Sequence, residues 1–184
     1  MNRSMDDPQH EEFEYELKIP EERVAVLIGK DGETKKQIEE ETKSKLQISA
    51  EGDVTITAED GVALFTAREI VRAVARGFNP KTALLLGKQD YTLEIIDMKD
   101  VAGKSKNTLE RLKGRVIGKA GKSREEIERL TETRISVYGK TIGIIGETMQ
   151  VSIAHQAIGM LLGGSMHKTV YQFLEKKRKE MVFG

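Results

Sequence analysis

The chain has 184 residues, 30 acidic and 30 basic side chains, three histidines and no cysteine. That length admits one ordinary domain or two small ones, and the missing cysteine excludes a disulfide framework and any cysteine-based zinc or redox site. No apolar run approaches the roughly 18 residues of a membrane span, and Asp6, Asp7, Glu11 and Glu12 stand where a secretory signal would be basic and then apolar, so the sequence reads as cytoplasmic with no membrane partner.

Residues 1–12 are polar and acidic and read as a disordered leader. Glu14 to Ile19 places Tyr15, Leu17 and Ile19 on one face, which predicts a half-buried strand stopped by Pro20. Arg23 to Ile28 reads as a short helix delivering the chain to Gly29, and Glu33 to Thr42 as a charged helix with Ile38 and Thr42 on its apolar stripe. Leu46 and Ile48, then Val54 and Ile56, alternate on either side of Gly52-Asp53 as a hairpin does. Gly61 to Arg76 carries Ala63, Ala67, Ile70, Val71 and Val74 on one helical face. Gly77-Phe78-Asn79-Pro80 ends this unit, and Ala83-Leu84-Leu85-Leu86 predicts a helical turn in a connector.

Tyr91 to Asp97 then reads as a strand, the stretch from about Asn107 to Lys113 as a helix, Ser123 to Thr131 as a helix, and Arg134 to Tyr138 with Thr141 to Ile145 as a hairpin. Glu147 to Leu162 is a packing helix with Val151, Ala154, Ile158 and Leu161 on its buried stripe. A final helix carries Met166, Val170 and Phe173 on one face and ends in Lys176-Lys177-Arg178-Lys179. Two readings of that basic run stay open: ordinary cation placement at a helix C-terminus, and a second RNA contact.

The two halves repeat. A displacement of 89 residues lays Ile28 on Ile117, Gly29 on Gly118, Lys30 on Lys119, Gly32 on Gly121, Ile38 on Ile127, Glu39 on Glu128 and Thr42 on Thr131 without a gap. In each half the order is strand, helix, Gly-x-x-Gly, helix, strand, strand, helix. This is the type I KH arrangement, whose Gly-x-x-Gly turn clamps a single-stranded nucleic-acid backbone. The fold class is therefore α+β: two tandem three-stranded sheets packed on helices, with domains at 13–78 and 91–164, a connector at 79–90 and a C-terminal basic helix at 165–184.

A polynucleotide can approach a protein backbone only where no side chain holds it off, and glycine meets that condition while tolerating positive φ. The helix that starts directly after each loop points unpaired N–H groups at the phosphates. Lys30 and Lys119 add charge, and Ile28, Ile38, Leu46 and Ile48, or Ile117, Ile127, Ile135 and Val137, offer an apolar floor for unstacked bases. The loops differ in sign. Asp31 and Glu33 set carboxylates in the first, whereas Ala120 in the second is flanked by Arg115, Lys122 and Arg124. Residues 1–98 hold 13 basic and 21 acidic side chains, and residues 99–184 hold 17 and 9, giving −8 and +8. The second half is thus expected to be the main RNA clamp and the first a weaker RNA site or a protein-binding module, unless the asymmetry is mere drift of two solvated faces.

Ala-Gly-Lys-Ser occurs at 102–105 and 120–123, but Met98 and Val116 stand where a P-loop needs its first glycine. His10, His155 and His167 have no metal-ligand spacing, so the sequence predicts no enzyme and no cofactor.

The run Gly-Arg-Val-Ile-Gly-Lys-Ala-Gly-Lys-Ser-Arg-Glu-Glu-Ile-Glu (114–128), then Ile-Ser-Val-Tyr-Gly-Lys-Thr (135–141) and Gly-Phe-Asn-Pro (77–80), resembles the tandem-KH ribosomal-RNA-processing family, the partner-of-Nob assembly factors of archaeal and eukaryotic small subunits. The intact Gly29 and Gly32 resemble the archaeal form. The resemblance implies binding of single-stranded rRNA near the 3′ end of the small-subunit RNA, beside the endonuclease that trims it and other small-subunit assembly proteins; the chain is expected to act as a monomer. It implies RNA contact at Gly118, Lys119, Gly121, Lys122 and Arg124, to which the charge and floor arguments add Arg115, Ile117 and Ala120, with Gly29, Lys30 and Gly32 as the weaker set. The alternative is an RNA-capture or scaffold subunit of another RNA-processing complex.

Overall fold

The computed structural model describes residues 12–183, so the expected leader lies, but for Glu12, outside the described residues. The chain divides into two compact units, the first ending at Arg68 and the second beginning at Glu69.

The first unit opens with β1 (Phe13–Lys18), α1 (Glu21–Ile28), a 3₁₀ turn at Lys30–Gly32, α2 (Glu33–Thr42), β2 (Ser44–Ile48) and β3 (Asp53–Ala58), before α3 (Gly61–Ala75). Pro20 ends the strand and sits at the N-cap of α1, with Glu21 and Glu22 in the first turn where the helix dipole favours them. The sheet order is β1-β3-β2, all antiparallel, with Tyr15 opposite Ile56 and Leu46 opposite Ile56 from the other side. Leu27, Ile38, Leu46 and Ile56 are fully buried. β1 is more exposed than its alternation predicts: Ile19 is buried and Leu17 half-buried, but Phe13 and Tyr15 stand 46 % and 36 % open. The reason is position, since β1 pairs on one side only and the helices cover an edge strand incompletely.

In the second unit α4 (Pro80–Ala83) starts at Asn79, whose Oδ1 accepts the Thr82 N–H at 2.9 Å, and a 3₁₀ turn at Leu84–Gly87 follows, which is the helical turn the leucine cluster predicts. Then come β4 (Tyr91–Asp97), α5 (Lys99–Ala102), α6 (Lys106–Ile117), a 3₁₀ turn at Lys119–Gly121, α7 (Lys122–Thr131), β5 (Arg134–Tyr138), β6 (Thr141–Glu147), α8 (Thr148–Leu162) and α9 (His167–Phe183). The sheet order is β4-β6-β5, the same as in the first unit. Phe78 is buried on β6, where a Cβ at Gly143 would lie 2.6 Å from its ring; the strand has a glycine where the aromatic ring needs the room.

α8 buries Ile153, Ala157 and Leu162 besides the four residues of its predicted stripe. It is covered by β4, β6, α6 and α7 as well as by α9, which packs on α8 and α7 and buries Val170 and Leu174. Met166, expected on that face, is instead 70 % exposed, because the helix begins one residue later.

Candidate nucleic-acid interface

The two Gly-x-x-Gly loops have the same backbone to within a few degrees. Gly29 has φ 76° and ψ 175°, Gly118 has φ 73° and ψ 176°. Asp31 and Ala120 follow at φ 52° and 53°, and Gly32 and Gly121 both at φ 77°. The first glycine of each pair is forced by packing as well as by its dihedrals. A Cβ on Gly29 would lie 2.3 Å from Thr34 Oγ1, and one on Gly118 2.6 Å from Ser123 Cβ and 2.8 Å from Ser123 N. The second glycine faces open space: nothing lies within 4 Å of a Cβ on Gly32, and only Glu125 Oε1, at 3.8 Å, on Gly121. The motif therefore divides into a glycine that lets the chain close onto the next helix and a glycine that leaves the outer surface bare.

Neither α2 nor α7 has a capping side chain, since a left-handed glycine occupies each N-cap. The sequence predicts unpaired N–H groups at both helix starts, but the first of each is taken: the Glu33 N–H donates to the Lys30 carbonyl and the Lys122 N–H to the Lys119 carbonyl, because the loop closes as a 3₁₀ turn. Ser123 Oγ and Arg124 Nε, in the first turn of α7, are buried and have no hydrogen-bond partner. These are two polar atoms that folding alone leaves unsatisfied, and the sequence gives no signal of them.

Of the four apolar floor positions in each copy, two are core and two are rim. Ile38, Leu46, Ile127 and Ile135 are buried, whereas Ile28, Ile48, Ile117 and Val137 stay half-exposed. The shared residues outside the loop are structural. Glu39 Oε1 accepts the Leu46 N–H at 2.8 Å and Glu128 Oε1 the Ile135 N–H at 2.7 Å, tying each helix to the edge strand beside it. Thr42 and Thr131 each donate to the carbonyl four residues back at 2.7 Å and meet a second hydroxyl, Ser44 or Thr133.

Lys119, Ala120 and Lys122 are exposed, as are Lys30, Asp31 and Glu33 in the other copy. Arg115 is differently placed. Its Nε donates to the Leu161 carbonyl at 2.9 Å and its terminal nitrogen to the Ser165 carbonyl, while His167 Nε2 donates to the Arg115 carbonyl at 2.7 Å. This guanidinium closes the C-terminus of α8 and fixes the start of α9 to the end of α6; Val26 occupies the matching position in the first unit. His155 pairs through Nδ1 with Glu94 on the half-exposed face of α8. Among the described residues no group of three His, Asp or Glu is arranged to hold a metal, and no helix is long and apolar enough to cross a membrane.

Comparison with known proteins agrees with this geometry. Residues 92–179 match a model of the second KH domain of PNO1 proteins, described as a eukaryotic type KH-domain of type I, and residues 14–73 match the general KH domain. The KH domain-containing protein MJ0443 of Methanocaldococcus jannaschii is 53 % identical over 90 % of this chain and 74 % of its own. The pre-rRNA-processing protein PNO1 of Debaryomyces hansenii is 32 % identical over 61 % of this chain, which spans only 44 % of that protein. A crystal structure from Pyrococcus horikoshii OT3 of a complex of a/eIF2alpha, aDim2p and rRNA contains a chain 45 % identical to this one, with a TM-score of 0.85 over 92 % of this chain and 96 % of that chain.

Proposed function

This chain belongs to the archaeal Dim2/PNO1-like family of tandem KH-domain proteins, an RNA-binding and non-catalytic family of pre-rRNA processing, and on that premise we propose that it holds single-stranded RNA near the 3′ end of small-subunit rRNA during subunit maturation. The second KH domain, at 91–164, is the main clamp; the first, at 13–78, is a weaker clamp that also serves as a protein-binding module. One observation carries the division of labour. The loops share one backbone, yet one sets Lys119, Ala120 and Lys122 on the phosphate track and the other Lys30, Asp31 and Glu33. With geometry held constant, a carboxylate at φ 52° in place of a methyl at φ 53° is a direct repulsion of phosphate.

Arg124 and Ser123 support the same side of the choice, because their unsatisfied polar atoms lie in the helix turn behind the second loop. Arg115, bound to two carbonyls, acts by positioning the end of α6. The proposed partners are the endonuclease that trims the rRNA 3′ end and, by analogy with the Pyrococcus complex, the α subunit of archaeal initiation factor 2.

Ultraviolet crosslinking of the full chain to precursor small-subunit rRNA, with both peptide and nucleotide mapped, tests the reading. Crosslinks should join peptides around 115–124 to single-stranded nucleotides close to the 3′ end. Crosslinks spread over duplex regions, or confined to the first loop, would contradict it.

A further inference from the structure

The first unit carries a contiguous apolar patch that neither RNA binding nor its own core uses. Phe13 and Tyr15 lie two residues apart on one face of the edge strand β1, 46 % and 36 % exposed, while Val62 and Phe65, one helical turn apart on α3, are 76 % and 56 % exposed. Arg68 joins the two sets: its guanidinium carbon sits 5.2 Å from the centre of the Tyr15 ring and 4.8 Å from that of Phe65. Four large apolar side chains in one place on a small unit are more than scattered surface residues require, and a held arginine between two rings is the composition of a protein-contact centre.

Charge selects the class of partner. Aromatic rings with an arginine can also stack nucleic-acid bases. Here, however, Glu12 adjoins Phe13, and Glu59 and Asp60 lie in the turn between β3, which pairs with Phe13, and α3. Asp60 is fixed there by accepting the N–H groups of Val62 and Ala63 at 2.9 and 2.8 Å. The nearby cations Lys43 and Lys45 line a groove of about 250 Å³ together with Glu12 and Glu59, so they do not turn the rim positive. Glu39 lines the same groove, which thus holds three carboxylates against two lysines, and residues 1–68 as a whole carry 17 acidic and 9 basic side chains; that net negative charge disfavours a polyanion and favours a basic protein surface.

We propose that the Phe13, Tyr15, Val62 and Phe65 patch is the docking surface for a protein partner whose contact face sets apolar side chains within a ring of lysine and arginine. It rests on the reading above that the first domain binds protein, and it names the surface used, with the initiation-factor α subunit as the partner to try.

The test measures binding of purified archaeal initiation factor 2 α subunit to the full chain, beside the affinity of the same chain for a single-stranded oligonucleotide from the rRNA 3′ end. Val62→Ser and Phe65→Ser alter exposed side chains, and their unfolding midpoints are checked against the unaltered chain. Each should weaken factor binding at least tenfold and leave the RNA affinity unchanged. Glu12→Lys with Glu59→Lys should slow association and flatten its salt dependence. If the unaltered chain binds the factor and these variants bind it equally well, the patch is not the surface, though the protein-binding reading stands. If the unaltered chain does not bind the factor, that reading falls and this inference with it. A self-associated chain that Phe65→Ser converts to monomer, or a crosslink from position 65 to residues 2–11 of the same chain, would give the patch another occupant and overturn the proposal.

Discussion

Replacing the two glycines of the second loop by alanine, one at a time, should separate folding from binding. At Gly118 the backbone has φ 73° and ψ 176°, a region open essentially to glycine alone, which costs an alanine of order 1–3 kcal/mol. The new methyl would also stand 2.6 Å from Ser123 Cβ and 2.8 Å from Ser123 N. A backbone nitrogen cannot swing aside, so overpacking adds about 1–3 kcal/mol. The sum, about 2–6 kcal/mol, is a large part of the 5–15 kcal/mol that typically stabilises a domain. At Gly121, by contrast, φ 77° and ψ 3° are left-handed helical, costing an alanine about 1–2 kcal/mol, with no atom nearer than 3.8 Å. Gly118→Ala should therefore lower the thermal unfolding midpoint well below that of Gly121→Ala. Gly121→Ala should stay folded at room temperature and bind single-stranded RNA at least about tenfold more weakly, a loss of about 1.4 kcal/mol, because its methyl projects into the bare surface. Unfolding scans and RNA titrations on both variants decide the matter. Gly118→Ala as stable as the unaltered chain, or Gly121→Ala with full affinity, would refute the division between a closing and an approach glycine.

Arg115→Ala loses two charge-assisted bonds to the Leu161 and Ser165 carbonyls and should lower stability by about 2–3 kcal/mol in denaturant unfolding, whereas Val26→Ala, at the matching place, has no such bonds to lose. Thr131→Val leaves the Thr133 hydroxyl without its buried partner and should cost about 1–3 kcal/mol by the same measurement. Glu126 is held below the usual carboxylate range first by its hydrogen bond from Arg129, so its contribution is present above the unfolded-state value and lost as pH falls through the folded one. Glu126→Gln should accordingly show a smaller loss of stability on acidification than the unaltered chain.

Much of the fold was legible because the sequence states it twice. Glu33 to Thr42 and Tyr91 to Asp97 have the limits their patterns predict, and Arg134 to Tyr138 likewise. The extra turn of α5 at Lys99–Ala102 was not legible, since four residues are too few to show a period. Nor was the commitment of Arg115 to carbonyls 46 and 50 residues away, because its neighbours in sequence are the loop cations and a helix C-terminus has no residue signature for a distant donor. Repetition also hid a distinction. Glu39 with Glu128, and Thr42 with Thr131, repeat as the loop glycines do, but their hydrogen bonds are structural: the glutamates tie helix to strand, and the threonines close the last turn of their own helices. The exposed aromatic residues of β1 and α3 were invisible for a related reason: strand alternation says which face a side chain takes and not whether the strand lies at an edge.

The central claim is that the second loop is the principal RNA clamp, and charge reversal at matched positions tests it most directly. Lys119→Asp with Ala120→Asp keeps both glycines, and the φ near 53° that it asks an aspartate to adopt is one that Asp31 already holds in the first loop. Lys30→Asp makes the first loop equally acidic from a worse start. With a single-stranded oligonucleotide from the small-subunit rRNA 3′ end, the 119/120 variant should lose nearly all affinity, and any residual binding should show a slope of log affinity against log salt lower by about 0.7 for each phosphate contact removed. The Lys30 variant should lose far less. Equal losses at the two loops would mean that both clamps bear the RNA, and an unchanged affinity in the 119/120 variant would place the RNA elsewhere and contradict the account.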